Sequence, residues 1–528
     1  MSSSCTSDEE CTDCSTDSRE ESSLSRWQAV DSGLTQAVLG LVFAWLEGAS
    51  LARAGAACRA WRAAAACPTL WRRLLRPCPT RPTGCVSWRE EYVRVHAGWE
   101  LRARLSGGRG GAGESFLHAA LAPTGCRLAL TTTDANILIW ELDAEEIWRE
   151  VWSVSLRARG WESAERAEWA RAGRRLLVAG PVALAQRWEL IVLDESDGGW
   201  SVASRASCGG GAAGCWATRA ARAYLALTPR RLAPRLWITT VAINAATQET
   251  QSEYAGVTAP LLHIFNEEEA SITHVVVAEV PLQDASASDD ECSNSDNEDY
   301  DSDGAYGLAR VLLAGFGGAM GAVRAWLLYS LQPPPLLAGA GGAGDLRARA
   351  SRRRAAAARD PPDPPDPPEP SEQQVRDMCT PPDAECRFDG TLIGLTVQHD
   401  GRAVWSWSSV GALSAWSLPQ LRALRTLHPP DAAPRPALRA NALHYVQPAI
   451  GRTYLATPEG ALSGRVWVWG AASGSARRAP LPHAAPALLA AFPRTREHTM
   501  LVLATDYLYV WRSKATPQTS DCNVQELD

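Results

Sequence analysis

From about residue 100 onward the chain is a succession of short apolar runs cut by Gly, Pro, Asp and Ser, and no other feature restricts its fold as strongly. The clearest runs span 127–143, 174–180, 188–194, 235–243, 261–266, 273–280, 308–316, 391–397, 412–418, 465–470 and 499–513. No long amphipathic helices alternate with them. Many short strands with regular turn signals predict an all-β sandwich, barrel or propeller.

Two stretches interrupt this pattern. Residues 283–305 are rich in Ser and Asp, with nine acids and no base between 284 and 303. Residues 332–388 open on PPP and a Gly-rich run, continue with an Arg-rich segment, and then read PPDPPDPPEP over 361–370. Neither composition offers enough apolar surface to offset the entropy of folding, so both are expected to be disordered loops. Residues 1–25 carry seven acids against Arg19 and form a third solvated segment.

These acidic segments account for the net charge of −7 and leave a mildly basic body. That layout does not suit nucleic-acid binding. No apolar run reaches the ~18–20 residues of a bilayer span, and MSSSCTSDEE is too polar for a signal peptide. The expectation is a cytoplasmic protein with no membrane partner. The 14 cysteines show no repeated pairing, so free thiols are expected. Cys11 and Cys14 form a lone CxxC, short of the about four ligands zinc requires. No GxGxxG opens a helix after a strand, and no P-loop, HExxH or GxSxG motif is present. His263 and His274 read as core or loop residues. No cofactor, metal or catalytic residue is therefore expected.

One run carries a repeat signature. Asp134 stands in a turn, Trp140 follows six residues later at a strand end, and Glu141 comes next. This resembles a WD repeat, in which the Asp bonds the turn and the Trp fills space between blades. Weaker versions end at Trp416, Trp469 and Trp511, spaced 53 and 42 residues apart. The spacing is close to the ~40–45 residues of such repeats. Residues 101–515 are read on this basis as a degenerate WD-repeat propeller.

Ahead of the β region the periodicity is helical. Val38, Leu41, Val42 and Trp45 fall on one face at i, i+3, i+4 and i+7. Ser50 is a plausible N-cap for a second helix bearing Leu51, Ala54, Cys58 and Trp61, and Leu70, Trp71 and Leu74 mark a third. The order Leu34, Phe43 to Leu46, Leu51, Cys58-Arg59-Ala60-Trp61 and Leu70-Trp71 resembles an F-box, with Thr35 where that family usually has Pro. Together with Ser87-Trp88-Arg89-Glu90-Glu91-Tyr92 and the WD-type runs, it is similar to the F-box/WD repeat-containing family.

The expected architecture is an α+β multidomain chain: a small all-α F-box followed by an all-β propeller with disordered inserts. Its segments are an acidic tail (1–25), F-box helices (26–80), a linker helix (81–100), the propeller (101–515) and a tail (516–528). The resemblance implies a non-catalytic substrate receptor of a cullin–RING ubiquitin ligase. Its F-box would bind a Skp-type adaptor, and its propeller a protein substrate marked for proteasomal degradation. The set it points to is Leu34, Val38, Leu41, Val42, Phe43, Leu46, Leu51, Cys58 and Trp61. The alternatives are a cullin-4-type receptor docking through its propeller, or a propeller scaffold outside any ligase. The cullin-4 motif ends Trp-Asp-x-Arg, whereas this chain has Trp140-Glu141-Leu142-Asp143. Lys514 is the only lysine and the expected acceptor for self-ubiquitination, since arginine is no substitute nucleophile. It is expected in a mobile terminal tail.

Overall fold

The computed structural model describes residues 36–75, 87–106, 115–248, 257–281, 308–328, 371–429, 447–458, 465–479, 487–493 and 496–515, apart from 145, 184–186, 197, 198, 219, 268–270, 319, 472, 473, 475 and 497. The tails 1–25 and 516–528, Leu34, the acidic stretch 283–305 and residues 332–370 lie outside them. The chain divides into two units, Met1–His96 and Ala97–Asp528.

The first unit is helical. It contains α1 (36–43), α2 (Gly48–Ala57), α3 (Arg59–Ala65), α4 (Pro68–Leu74) and α5 (Trp88–His96). Its core is Phe43, Leu51, Ala64, Ala65, Leu70 and Trp71. The Trp71 indole donates to the Ala65 carbonyl at 2.6 Å, so the buried N–H is satisfied. Two helix boundaries differ from expectation. The N-cap of α2 is Glu47, one turn before Ser50. Leu51 and Trp61 do not share a helix, because Cys58 is extended (φ −156°, ψ 172°) and its sulfur accepts from the Trp61 N–H. That polar side chain caps a new helix at α3. α5 starts at a Ser87 cap, carries Glu90 and Glu91 in its first turn and Arg94 and His96 in its last, and so complements its dipole at both ends. It is not a linker. Tyr92 packs 5.4 Å from Trp71, and a Cβ at Gly48 would meet the Tyr92 ring at 2.1 Å, so only glycine fits there.

The second unit is a propeller of seven four-stranded antiparallel sheets. Blade 1 runs from the strand Phe116–Leu121 to Trp148–Ser155, blade 2 from Arg166–Trp169 to Gly199–Cys208, and blade 3 from Gly214–Trp216 to Val257–Asn266. Blade 4 runs from Ile272–Pro281 to Ala384–Phe388, blade 5 from Leu392–Val397 to Ala423–Leu427, and blade 6 from Ala449–Ile450 to Ala476–Ala479. Blade 7 is composite. Its strands Ala487–Ala491, Thr499–Ala504 and Leu508–Ser513 are joined by Trp99–Leu105 from the start of the unit, with Trp99 opposite Ser513. The runs 127–143 and 499–513 each form two strands of a hairpin.

Seven apolar clusters hold the ring together, and each draws on two neighbouring blades. A sheet buried on both faces needs apolar residues on both, which is why the inner strands read as continuous apolar runs rather than alternating ones.

The Pro/Arg-rich stretch expected to run unstructured to residue 388 stops short of that. Ser371 and Gln374 form a capping box that starts α6 (Glu372–Asp377), Val375 is fully buried, and Ala384–Phe388 is the outer strand of blade 4. The buried Arg324 donates to Glu385 at 3.1 Å and pairs with Glu267 at 2.9 Å, which also ties this segment to blade 3.

Candidate functional site

The predicted set separates into two groups. Phe43 and Leu51 are core, with Phe43 only 1% exposed. Leu46 is half-buried, and its carbonyl accepts from Arg73 at 3.0 Å. Val38, Leu41 and Val42 are exposed, Leu41 by 71%. Trp61 is 40% exposed and stands edge-on to Phe43, with ring centroids 5.4 Å apart. Cys58 is exposed, but its thiol is used as the α3 cap.

The stripe on α1 is therefore an outward face. Helical spacing aligned Val38, Leu41, Val42 and Trp45, yet the small core takes Phe43 from the same helix instead. Trp45, absent from the predicted set, is the most exposed of all at 91%. Its signal was in the sequence, as the i+7 member of the stripe. Contiguous exposed apolar side chains of this size mark interaction surfaces. Residues 48–75 carry five arginines and no acid, while the exposed Glu47 stands two residues from Trp45.

The propeller tryptophans do a different job. Trp140 lies in the cluster joining blades 7 and 1, Trp469 in that joining blades 5 and 6, and Trp511 in that joining blades 6 and 7. Trp416 packs at a tilt 6.2 Å from Phe388 of blade 4 and donates to the Ser406 hydroxyl at 2.9 Å. Asp134 lies at the turn between the second and third strands of blade 1. Its carboxylate pairs with Arg157, and the Thr132 hydroxyl accepts from the N–H groups of Asp134 and Asn136. Glu141 pairs with Arg127 at 2.5 Å, and Asp143 with Arg149 at 2.7 Å. Lys514 is not in a tail. It sits exposed in the turn after the last strand, with its N–H bonded to the Gly98 carbonyl at 3.0 Å.

Among the described residues, no three or more His, Cys, Asp or Glu are placed to hold a metal. No helix among them is long and apolar enough to cross a membrane. His118 and Glu168, on the first strands of blades 1 and 2, line one cavity of the propeller, and both are shifted from their ordinary range. Burial, reinforced by Arg166, pushes the His118 imidazole down to about 3. Burial lifts the Glu168 carboxyl to about 7, against the opposing pull of Arg166.

The described chain therefore comprises a helical unit with an exposed apolar stripe and a seven-bladed propeller. Residues 36–77 match the F-box-like family model. This F-box-like domain and the seven blades together support membership of an F-box/WD-repeat family. No curated protein matches the chain.

Proposed function

We propose that this chain is the substrate-recognition subunit of an SCF-type cullin–RING ubiquitin ligase. The F-box-like helices dock on a Skp-type adaptor and the propeller presents a protein substrate for ubiquitination and degradation. The chain itself is non-catalytic in this reading and raises the local concentration of substrate near the charged ubiquitin enzyme. We place it in the cytoplasm. The order of F-box, Ser87-Trp88 segment and terminal blade is similar to that of F-box/WD repeat-containing protein 5.

The observation that carries the proposal is the exposed face of Val38, Leu41, Val42, Trp45 and Trp61 on a domain matching the F-box-like family. Large apolar and aromatic side chains dominate the energetics of small docking surfaces. Phe43 is unsuited to testing this, because its removal would empty the core. Leu41→Ala with Trp45→Ala removes outward side chains only. The double variant should lose adaptor in a pull-down while its circular dichroism stays that of the wild type. Full retention of adaptor would refute the assignment. Self-modification in the reconstituted ligase should map to Lys514 or the α-amino group, and mass spectrometry of Lys514→Arg checks it.

A further inference from the structure

The mouth of the propeller channel holds a second site. The loops joining the first and second strands of blades 1, 2, 3 and 5 converge there with the first strand of blade 4 around a cavity of about 260 Å³. That is smaller than the ~300–1,000 Å³ that accepts a drug-sized ligand, and suits one long side chain. Its wall includes Glu168, Trp169, Trp216, Thr218, Glu279 and Gln398.

Two of these groups are unsatisfied. Glu168 Oε2 and Thr218 Oγ1 are buried and have no hydrogen-bond partner among the described residues. A buried polar atom left unpaired costs about 1–3 kcal/mol, so an orphaned pair on one cavity points to an absent partner. The two indoles are already held. Trp169 donates to the Ala120 carbonyl at 2.8 Å and Trp216 to the Glu168 carbonyl at 3.0 Å, so their rings are fixed as apolar walls rather than donors to a ligand. The wall thus offers a carboxylate, a hydroxyl, a second carboxylate at Glu279 and two indole surfaces. Arg171, also at the cavity, is exposed at its rim.

We infer that this cavity receives an arginine side chain of a protein partner, its guanidinium meeting Glu168 and Thr218 and its stem lying along Trp169 and Trp216. A guanidinium supplies several donors in a planar fork and stacks on aromatic surfaces, matching what the wall lacks. The inference deepens the reading of the propeller as a substrate holder and rests on it. The raised range of Glu168 agrees with a carboxyl awaiting a cation: proton and guanidinium compete for the same oxygen. The charged and titratable groups facing it are Arg166 on its own strand, Arg171, Cys215 behind Trp216, Glu279 and His399.

The test uses the full chain and saturation-transfer NMR with N-acetyl-arginine methylamide, its neutral citrulline isostere, the lysine counterpart and N-acetyl-glutamate methylamide. The arginine probe should bind at least about tenfold more tightly than citrulline. Glu168→Gln should erase that preference, Thr218→Val should reduce it, and Arg171→Ala should leave it unchanged or stronger. Thermal unfolding of each variant confirms that it is folded. Equal binding of arginine and citrulline by the wild type overturns the inference without needing any variant. So does preference for the glutamate probe lost in Arg171→Ala, which would make this an anion site, or a preference for lysine over arginine. Adaptor pull-down on the same proteins separates the two readings. Loss of the arginine preference with adaptor binding intact defeats only the cavity assignment. Adaptor failure with the preference intact defeats only the ligase assignment.

Discussion

Trp45 of the helical unit and the inter-blade tryptophans of the propeller are placed in opposite ways, although Trp71 of the helical unit is core. In the helical unit Trp45 is 91% exposed, and among the described residues the stripe it ends is left exposed. In the propeller Trp140, Trp469 and Trp511 are buried between blades, and Trp469 is fully inaccessible. An aromatic side chain buries a large area wherever it goes, so its location says which contact the chain is built to make. The blades are built to hold each other. The α1 stripe is left exposed, as the docking surface we propose requires.

The strongest way to break this comparison is to exchange the costs. Trp469→Ala should destabilise the propeller by about 3–5 kcal/mol, since the cavity sits in a fully packed cluster. Trp45→Ala should change stability by no more than about 0.5 kcal/mol. Denaturant unfolding of the two variants measures both, and similar losses would erase the distinction. Next in size is binding. Removing Leu41 and Trp45 together should weaken adaptor affinity by about 30-fold or more, the scale of a ~2 kcal/mol hot spot. Calorimetry against a Skp-type adaptor reads it.

Two smaller effects sharpen the propeller side. His118 is neutral in the folded chain down to about pH 3, while an unfolded His takes up a proton near its ordinary 6.5. Its contribution is therefore complete above about pH 6.5 and falls as pH drops below it, by at most ~1.4 kcal/mol per pH unit. His118→Gln should flatten that acid limb in denaturant titrations at pH 4.5–7.5. Glu168 acts in the other direction. Its folded value near 7 lies above the ordinary 4.5, so stability is greatest below 4.5 and declines as pH rises through 7. Glu168→Gln should raise stability at pH 8 by on the order of 1 kcal/mol, discounted because the residue keeps part of its surface in the channel, and by almost nothing at pH 4.5. A variant less stable than wild type at pH 8 would contradict this.

The inner strands were legible because burial on both faces makes them continuous apolar runs, as in RLLVAGPV of blade 2. The outer strands were not. After the buried Trp148, the last strand of blade 1, WREVWSVS, has only partly exposed and exposed positions, and ALRTL of blade 5 is mostly exposed, so neither stands out from a loop. The helical stripe was legible as a period but not as to direction, since 3.6-residue spacing marks a face without saying whether the core or a partner covers it. The break at Cys58 depends on a weak sulfur cap that no periodicity reports. The helix from Glu372 had a readable capping box in Ser371 and Gln374, overshadowed by the prolines just before it. The Glu168 cavity was out of reach altogether, because it exists only once five blades bring residues from 123 to 401 together.

The composite seventh blade has a consequence for how the molecule is made. Trp99–Leu105 leaves the ribosome early, yet its hydrogen-bonding partner Leu508–Ser513 follows about 400 residues later. At roughly 5–20 residues per second, that strand waits about 20–80 s with its edge unpaired. During that interval the growing chain is an open arc whose two ends each present an unsatisfied sheet edge to solvent. Sequence changes that slow synthesis between blades 1 and 7 therefore act on the survival of the nascent chain, even where the finished ring is untouched.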